Sequence, residues 1–245
     1  MTTIFPKWVN TLPAVTVLGG AGTAVLAIAG ISYYWTPSFW EVGYKPEQPV
    51  AFSHQIHVGK LGIDCRYCHT HVEESAHSNV PDTATCMNCH QGDVTSGEAY
   101  LNVDLWNAHK DNPHLTKIRS SYATDEPVAW KRIHKLPDYA HFNHAVHVNA
   151  GVSCYSCHGR MDHQEVAYQV HSLSMGWCLD CHRNPEEHLV DVDGVTEQYA
   201  SDPFEVTDLR RVEEQLASTE QQEIGLKLAA AKQIQPPQHC GACHY

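Results

Sequence analysis

The hydrophobic and polar positions divide the chain into two unequal parts. From Pro13 to Trp35 no charged residue interrupts PAVTVLGGAGTAVLAIAGISYYW. As a helix, such a stretch of roughly 23 residues is long enough to cross a hydrocarbon core of about 30 Å. Beyond it the periodicity is short and local. The run Gly97 to His109 places Leu101, Leu105 and Ala108 on one helical face. Asp208 is positioned to cap another helix, with Leu209, Val212 and Leu216 at helical spacing. Gly225 is expected to interrupt its continuation towards Lys232, and Pro236-Pro237 to end it. Loops rich in Pro, Gly, Asn and Asp lie between. No alternating apolar stretch is long enough to promise a sheet.

Cysteine usage changes the picture. Ten cysteines fall in five pairs, Cys65/Cys68, Cys86/Cys89, Cys154/Cys157, Cys178/Cys181 and Cys240/Cys243. Each pair is spaced Cys-x-x-Cys and followed at once by a histidine: His69, His90, His158, His182 and His244. A disulfide framework, zinc knuckles or a redox motif would each use paired cysteines. None requires histidine directly after the second cysteine, and with nineteen histidines in 245 residues chance does not supply five of five. Cys-x-x-Cys-His is the attachment signature of c-type haem: the thiols add to the vinyl groups and the histidine offers its imidazole to the iron. Five covalently bound haems are therefore expected, with short helices packed on them. About 200 residues shared among five macrocycles leave little room for an apolar side-chain core, so stability should depend on haem attachment. A net charge of −12 and the lack of a basic patch argue against a nucleic-acid partner.

The apolar segment is expected to be a retained anchor in membrane lipid. It is long for a signal peptide, and no small-x-small cleavage site ends it. Gly19, Gly20, Gly22, Ala24, Ala27, Ala29 and Gly30 would let another helix approach closely. Tyr33, Tyr34, Trp35, Phe39 and Trp40 form an aromatic belt at one interface, and Trp8 is placed for the other. Lys7 precedes the helix, so the positive-inside rule puts the N-terminus in the cytoplasm and the haems on the opposite side, in the periplasm or its equivalent.

An internal repeat organises the rest. Phe52-x-His54-x-x-His57 precedes the first two attachment motifs, and Phe142-x-His144-x-x-His147 precedes the next two. The phenylalanines lie 90 residues apart, the leading cysteines 89 and the second-site cysteines 92. A duplicated dihaem unit is implied. On a helical turn, residues i and i+3 point about 60° apart, so the two imidazoles can reach two adjacent irons while the phenylalanine packs nearby. The expected organisation is a cytoplasmic terminus (1–12), an anchor (13–35), a linker (36–51), a first dihaem unit (52–90), a connecting segment (91–141), a second dihaem unit (142–182) and a C-terminal helical segment with the fifth site (183–245).

The element FxHxxH followed by CxxCH resembles the cytochrome c3/c7 superfamily. The strings FSHQIHVGKLGIDCRYCH, CMNCH, RIHKLPDYAHFNHAVHVNAGVSCYSCHGR and MGWCLDCHRNPE are similar to the pentahaem cytochrome subunit of bacterial alternative complex III, a quinol oxidoreductase. This likeness runs from about Val50 to Pro185 and over the last motif; residues 92–127 and 191–235 carry little of it. It implies that His54 serves the haem at Cys65/Cys68, that His144 serves the haem at Cys154/Cys157, and that His57 and His147 each serve a neighbouring haem. His134 and Met175 both match the family and stay open as the fifth distal ligand; a methionine would raise the potential relative to histidine, and Met175 could equally be packing beside a porphyrin. The implied partners are a membrane quinol-oxidising subunit, an iron–sulfur protein subunit, and a monohaem cytochrome c or terminal oxidase as acceptor. The chain is then an electron-transfer subunit that holds no substrate-turnover site of its own. A self-sufficient quinol dehydrogenase would begin its first motif sooner after the helix, whereas here a long linker separates Trp35 from Cys65. A multihaem reductase would need an open iron position with acid–base groups beside it.

Overall fold

The computed structural model describes residues 5–35, 41–90 and 112–245. The chain divides into two units, Met1–Val42 and Gly43–Tyr245. The helix expected over Gly97–His109, and Phe39 and Trp40, lie outside the described residues.

In the first unit a 3-10 turn, Lys7–Thr11, leads into α1, Leu12–Tyr34. Pro13 sits in its first turn, where no intrahelical N–H is lost. At 1.5 Å per residue the helix is about 34 Å long, and it is long and apolar enough to cross a membrane. No side chain of α1 is buried within the protein. Thr16 and Thr23 donate back to the carbonyls of Leu12 and Gly19, each at 2.9 Å, so their hydroxyls are satisfied without water.

The second unit is built from short helices: a π-helical turn at Gln55–Lys60, then α2 Cys65–Cys68, α3 Thr83–His90, α4 Thr116–Thr124, α5 His144–Ala150, α6 Cys154–His158, α7 Met175–Arg183, α8 Leu209–Leu216 and α9 Gln221–Ala231. Among the described residues there is no strand; Val152 and Leu189 form one isolated antiparallel bridge. Short helices without a sheet are what the sequence pattern predicts.

Thirteen apolar side chains are buried among the described residues, and eight of them lie between Leu189 and Leu228. The haem-motif segments thus contribute little to a side-chain core. Val50, Met87, Leu115 and Ile118 form a small cluster beside the first motifs. Val190, Phe204, Val206 and Val212 form one beside the third, and Leu189, Ile224 and Leu228 another.

The C-terminal helices depart from expectation at one point. Asp208 caps α8, accepting from Arg211 N–H at 3.2 Å. The interruption, however, falls at residues 217–220, around Ser218 and Thr219, residue types that favour helix ends over helix interiors. Gly225 lies in the middle of α9, where a Cβ would overlap the Glu186 carbonyl. Glycine there permits backbone contact rather than ending the helix. The buried Gln215 and Gln221 amides close the gap: both donate to the Leu189 carbonyl, at 3.1 and 3.0 Å.

The two repeats brace each other reciprocally. Gln55 N–H donates to the Gln164 carbonyl at 3.0 Å, and Ala145 N–H to the Ser75 carbonyl at 3.1 Å. Each repeat therefore docks the helical turn before its own motif on the loop that follows the other repeat's motif.

Candidate haem sites

Four motifs lie on helical turns with a side-chain cap. Asp64 accepts from Arg66 N–H, Asp82 from Thr85 N–H, Ser153 from Tyr155 N–H and Ser174 from Trp177 N–H. Caps start the turn where the cysteines need it, putting the i and i+3 thiols on one edge with the histidine following. The fifth motif forms a 3-10 turn, Cys240–Ala242, with no side-chain cap. The ten thiols are free and correspond to the thioether sulfurs that haem attachment creates.

The imidazoles carry a shared signature. Nδ1 lies 2.6 Å from the Asn79 carbonyl in His69, 2.7 Å from Pro237 in His182 and 2.8 Å from Tyr139 in His244. His57 and His147 point Nδ1 at the carbonyls of Ser53 and Asn143, at 2.8 and 2.7 Å, and His144 points it at Ala76, at 2.8 Å. A carbonyl only accepts, so in all six the proton sits on Nδ1 and the Nε2 lone pair is free for a metal.

Ring spacing pairs some of them. The centroids of His57 and His90 are 6.2 Å apart, and those of His147 and His182 are 6.0 Å apart. An iron held between two imidazoles by metal–nitrogen bonds of about 2.0 Å sets the centroids about 6 Å apart. Phe52 stacks on His57 at 4.4 Å and meets His54 edge-on at 4.9 Å. Phe142 does the same with His147 at 4.4 Å and His144 at 4.8 Å. In each repeat the phenylalanine fixes the orientation of both rings.

Burial, then the neighbouring His69 and His57, pushes His54 down to about 4. Burial, then His134 and His144, pushes His158 down to about 3. His134 is pushed down to about 4 by burial and then by His144. These rings are neutral at neutral pH and can act as ligands or acceptors. Imidazoles whose Nδ1–carbonyl bonds leave Nε2 available, paired thiols and iron-sized gaps fit haem, whose macrocycle would supply the other four iron ligands. Among the described residues no three His, Cys, Asp or Glu side chains converge as a bare-metal site would require.

The motifs are also neighbours in a definite succession. Cys68 feels Cys89, and Cys86 feels Cys68. Cys65 and Cys154 lie close enough for each thiol to shift the other's titration. Burial, then Cys181 and Cys178, pushes Cys157 up to about 12. Cys178 in turn is raised by burial and then by Cys243. The succession in space is second, first, third, fourth, fifth.

His134 lies against His158, with ring centroids 4.4 Å apart. Met175 is two-thirds exposed at the start of α7, one turn ahead of Cys178. Sequence reasoning did not identify the caps Asp64, Asp82, Ser153 and Ser174, although a capping residue directly ahead of each turn is a local signal. It also missed the carbonyls that orient the histidines, which carry no side-chain signal at all.

Residues 50–112 match the family model for cytochrome c7 and related cytochrome c. The chain is 28% identical, over a 188-residue alignment covering 67% of it and 80% of the relative, to the menaquinone reductase multiheme cytochrome c subunit of Nitratidesulfovibrio vulgaris. With its five Cys-x-x-Cys-His motifs, the chain is a multihaem c-type cytochrome, c7-like over residues 50–112 and similar to that subunit.

Proposed function

We propose that this chain is a pentahaem electron relay in a membrane quinol oxidoreductase of the alternative complex III kind. In this reading α1 anchors it in the bacterial inner membrane, and the haem-binding unit lies on the periplasmic side. The observation that carries the reading is the unbroken succession of five motifs, each beside the next. Bound c-type haems supply one-electron redox chemistry. The chain's own residues attach them through ten cysteines and ligate them through His69, His90, His158, His182 and His244. On the distal side His54 serves the first motif and His144 the third. The ring spacing supports His57 as the partner of His90, and His147 as the partner of His182. His134 and Met175 are the candidates for a fifth distal ligand.

Quinol oxidation releases protons as well as electrons, and a single helix offers no enclosed polar pocket. The quinol site is therefore assigned to a membrane subunit docked on α1, alongside an iron–sulfur subunit. A monohaem cytochrome c or an oxidase is the acceptor. The test is stopped-flow reduction by a quinol analogue. The chain in its membrane complex should be reduced rapidly and in an inhibitor-sensitive way, and the isolated holoprotein negligibly. Fast, inhibitor-sensitive reduction of the isolated chain would instead favour a self-sufficient dehydrogenase.

A second reading reverses the flow and delivers electrons towards menaquinone. It is favoured by the name of the relative. Pre-reducing the complex from its periplasmic side and adding a menaquinone analogue separates the two: rapid inhibitor-sensitive haem oxidation supports the reverse direction.

A further inference from the structure

We infer that His134 is a positioning residue for the third haem: its Nε2 accepts the Nδ1–H of the proximal His158, and it is not an iron ligand. The inference rests on the proposed role of His158 as a proximal ligand. His158 Nδ1 and His134 Nε2 are 3.3 Å apart. When His158 Nε2 binds iron, its proton must sit on Nδ1. His134 Nε2 can then only be the acceptor, and His134 carries its own proton on Nδ1.

Spacing separates this contact from an axial pair. The two rings stand at 82° with centroids 4.4 Å apart, whereas the pairs His57/His90 and His147/His182 stand at 6.2 and 6.0 Å. An iron between two imidazoles needs about 6 Å, so none fits between His134 and His158. His144, close enough to lower the His158 imidazole as well, remains to take the distal side.

The contact differs from those of three other proximal rings. The proximal rings of His69, His182 and His244 donate Nδ1–H to backbone carbonyls. An imidazole nitrogen is a stronger base than an amide oxygen, and it draws more on the shared proton. The His158 ring thereby gains imidazolate character, its Nε2 becomes a stronger donor, and the oxidised iron is favoured. The third haem, midway along the succession, is thus held at a lower potential than a carbonyl-supported site would be. Of the two candidates for a fifth distal ligand, Met175 then remains.

The test compares His134→Leu and His134→Gln in the membrane complex purified with its haems. Mass spectrometry counts the haems, paramagnetic resonance reads spin state, and a poised redox titration resolves the midpoints. His134→Leu should keep five haems, all low-spin, with one midpoint raised and four unmoved. His134→Gln, whose amide oxygen can accept, should return that midpoint towards the native value. A high-spin signal in His134→Leu would make His134 a ligand and overturn the inference. Five unmoved midpoints, or all five moved together, would also overturn it. Should His134→Leu fail to mature, His134→Asn, too short to reach Nδ1, reads the same shift. His158→Ala checks the premise separately: it should lose one haem or turn one high-spin. If it retains five low-spin haems, the proximal assignment fails whatever His134 does.

Discussion

The two dihaem repeats share a local recipe and differ in how it is supported. The phenylalanine ring stands 4.9 and 4.4 Å from its two imidazoles in the first repeat, and 4.8 and 4.4 Å in the second. The paired rings stand at 6.2 Å in one and 6.0 Å in the other. Yet the first repeat carries its helical turn as a π-helix and the second as α5. The first is held to the C-terminal segment by partly exposed charges, with Arg66 reaching Asp64, Glu73 and Glu205, and Thr207 donating to Asp64. The second is held by the buried Ser153 hydroxyl, which donates to the Val206 carbonyl at 2.5 Å, and it packs against the cluster around Val190 and Val212. Imidazole geometry is thus set within a short run of chain, while stability is drawn from whatever the repeat happens to adjoin.

Withholding haem should expose this difference most strongly. In a host unable to attach haem, helical circular dichroism should fall sharply, because the motif segments bury few side chains of their own. Protease should cut within the first repeat, 52–90, before it cuts within the second, 142–182. Equal cutting rates would show that the two repeats are supported alike.

The next largest effect tests their sameness. His57→Ala and His147→Ala should each leave five haems attached but turn one of them, about a fifth of the low-spin intensity, high-spin. The thioether bonds do not need the distal ligand. Wholly low-spin spectra for both variants would show that other residues hold those irons.

Gly59 and Asn149 occupy equivalent positions with unequal tolerance. A Cβ on Gly59 would overlap the Asp162 carbonyl, whereas Asn149 donates to the Glu73 carbonyl at 3.0 Å. Gly59→Ala should cost about 1–3 kcal/mol through overpacking. Asn149→Ala should cost about 0.5–1.5 kcal/mol, one hydrogen bond. Denaturant titration of the holoprotein ranks them, and the reverse order would contradict the docking described between the repeats.

The smallest effect is on pH dependence. The Arg160 guanidinium beside Asp162, bonded at 2.6 and 2.8 Å, holds its carboxyl below the usual carboxylate range. At Asp64, burial pulls upward but is outweighed by hydrogen bonds from Arg66 and Thr207, so its carboxyl is also lowered. A lowered folded value contributes stability that is present above the unfolded value of about 3.9 and lost as pH falls through the folded one. Denaturation midpoints should therefore drop on acidification below about pH 4. Asp162→Asn should flatten that drop more than Asp64→Asn, because Asp162 is the more enclosed (16% against 39% side-chain exposure).

Much of this protein was legible because its chemistry is local. Cys-x-x-Cys-His and FxHxxH are short instructions, and both can be read without knowing where the chain goes next. The apolar segment was legible for the same reason: length and lack of charge alone predict α1. Gly225 was misread because glycine in a helix has two meanings. Which one applies depends on the backbone of Glu186, which is distant in sequence and reaches α9 only through the fold. The amides of Gln215 and Gln221 satisfy the carbonyls of Glu186 and Leu189, in the turn after α7, a pairing that only the fold creates.

The sequence by itself determined what could be bound and how often: ten thiols and five adjoining imidazoles at fixed spacing, repeated in two matching halves. Tertiary structure decided which motif neighbours which, and which atom completes each histidine. Asn79, Pro237 and Tyr139 orient His69, His182 and His244 through backbone carbonyls, a group every residue carries. Only the path of the folded chain distinguishes one carbonyl from another, so no side-chain pattern could announce them. His134 meets His158 through the fold in the same way. Its imidazole reads as a ligand in the sequence, and only the 4.4 Å between the two rings shows that no iron fits between them.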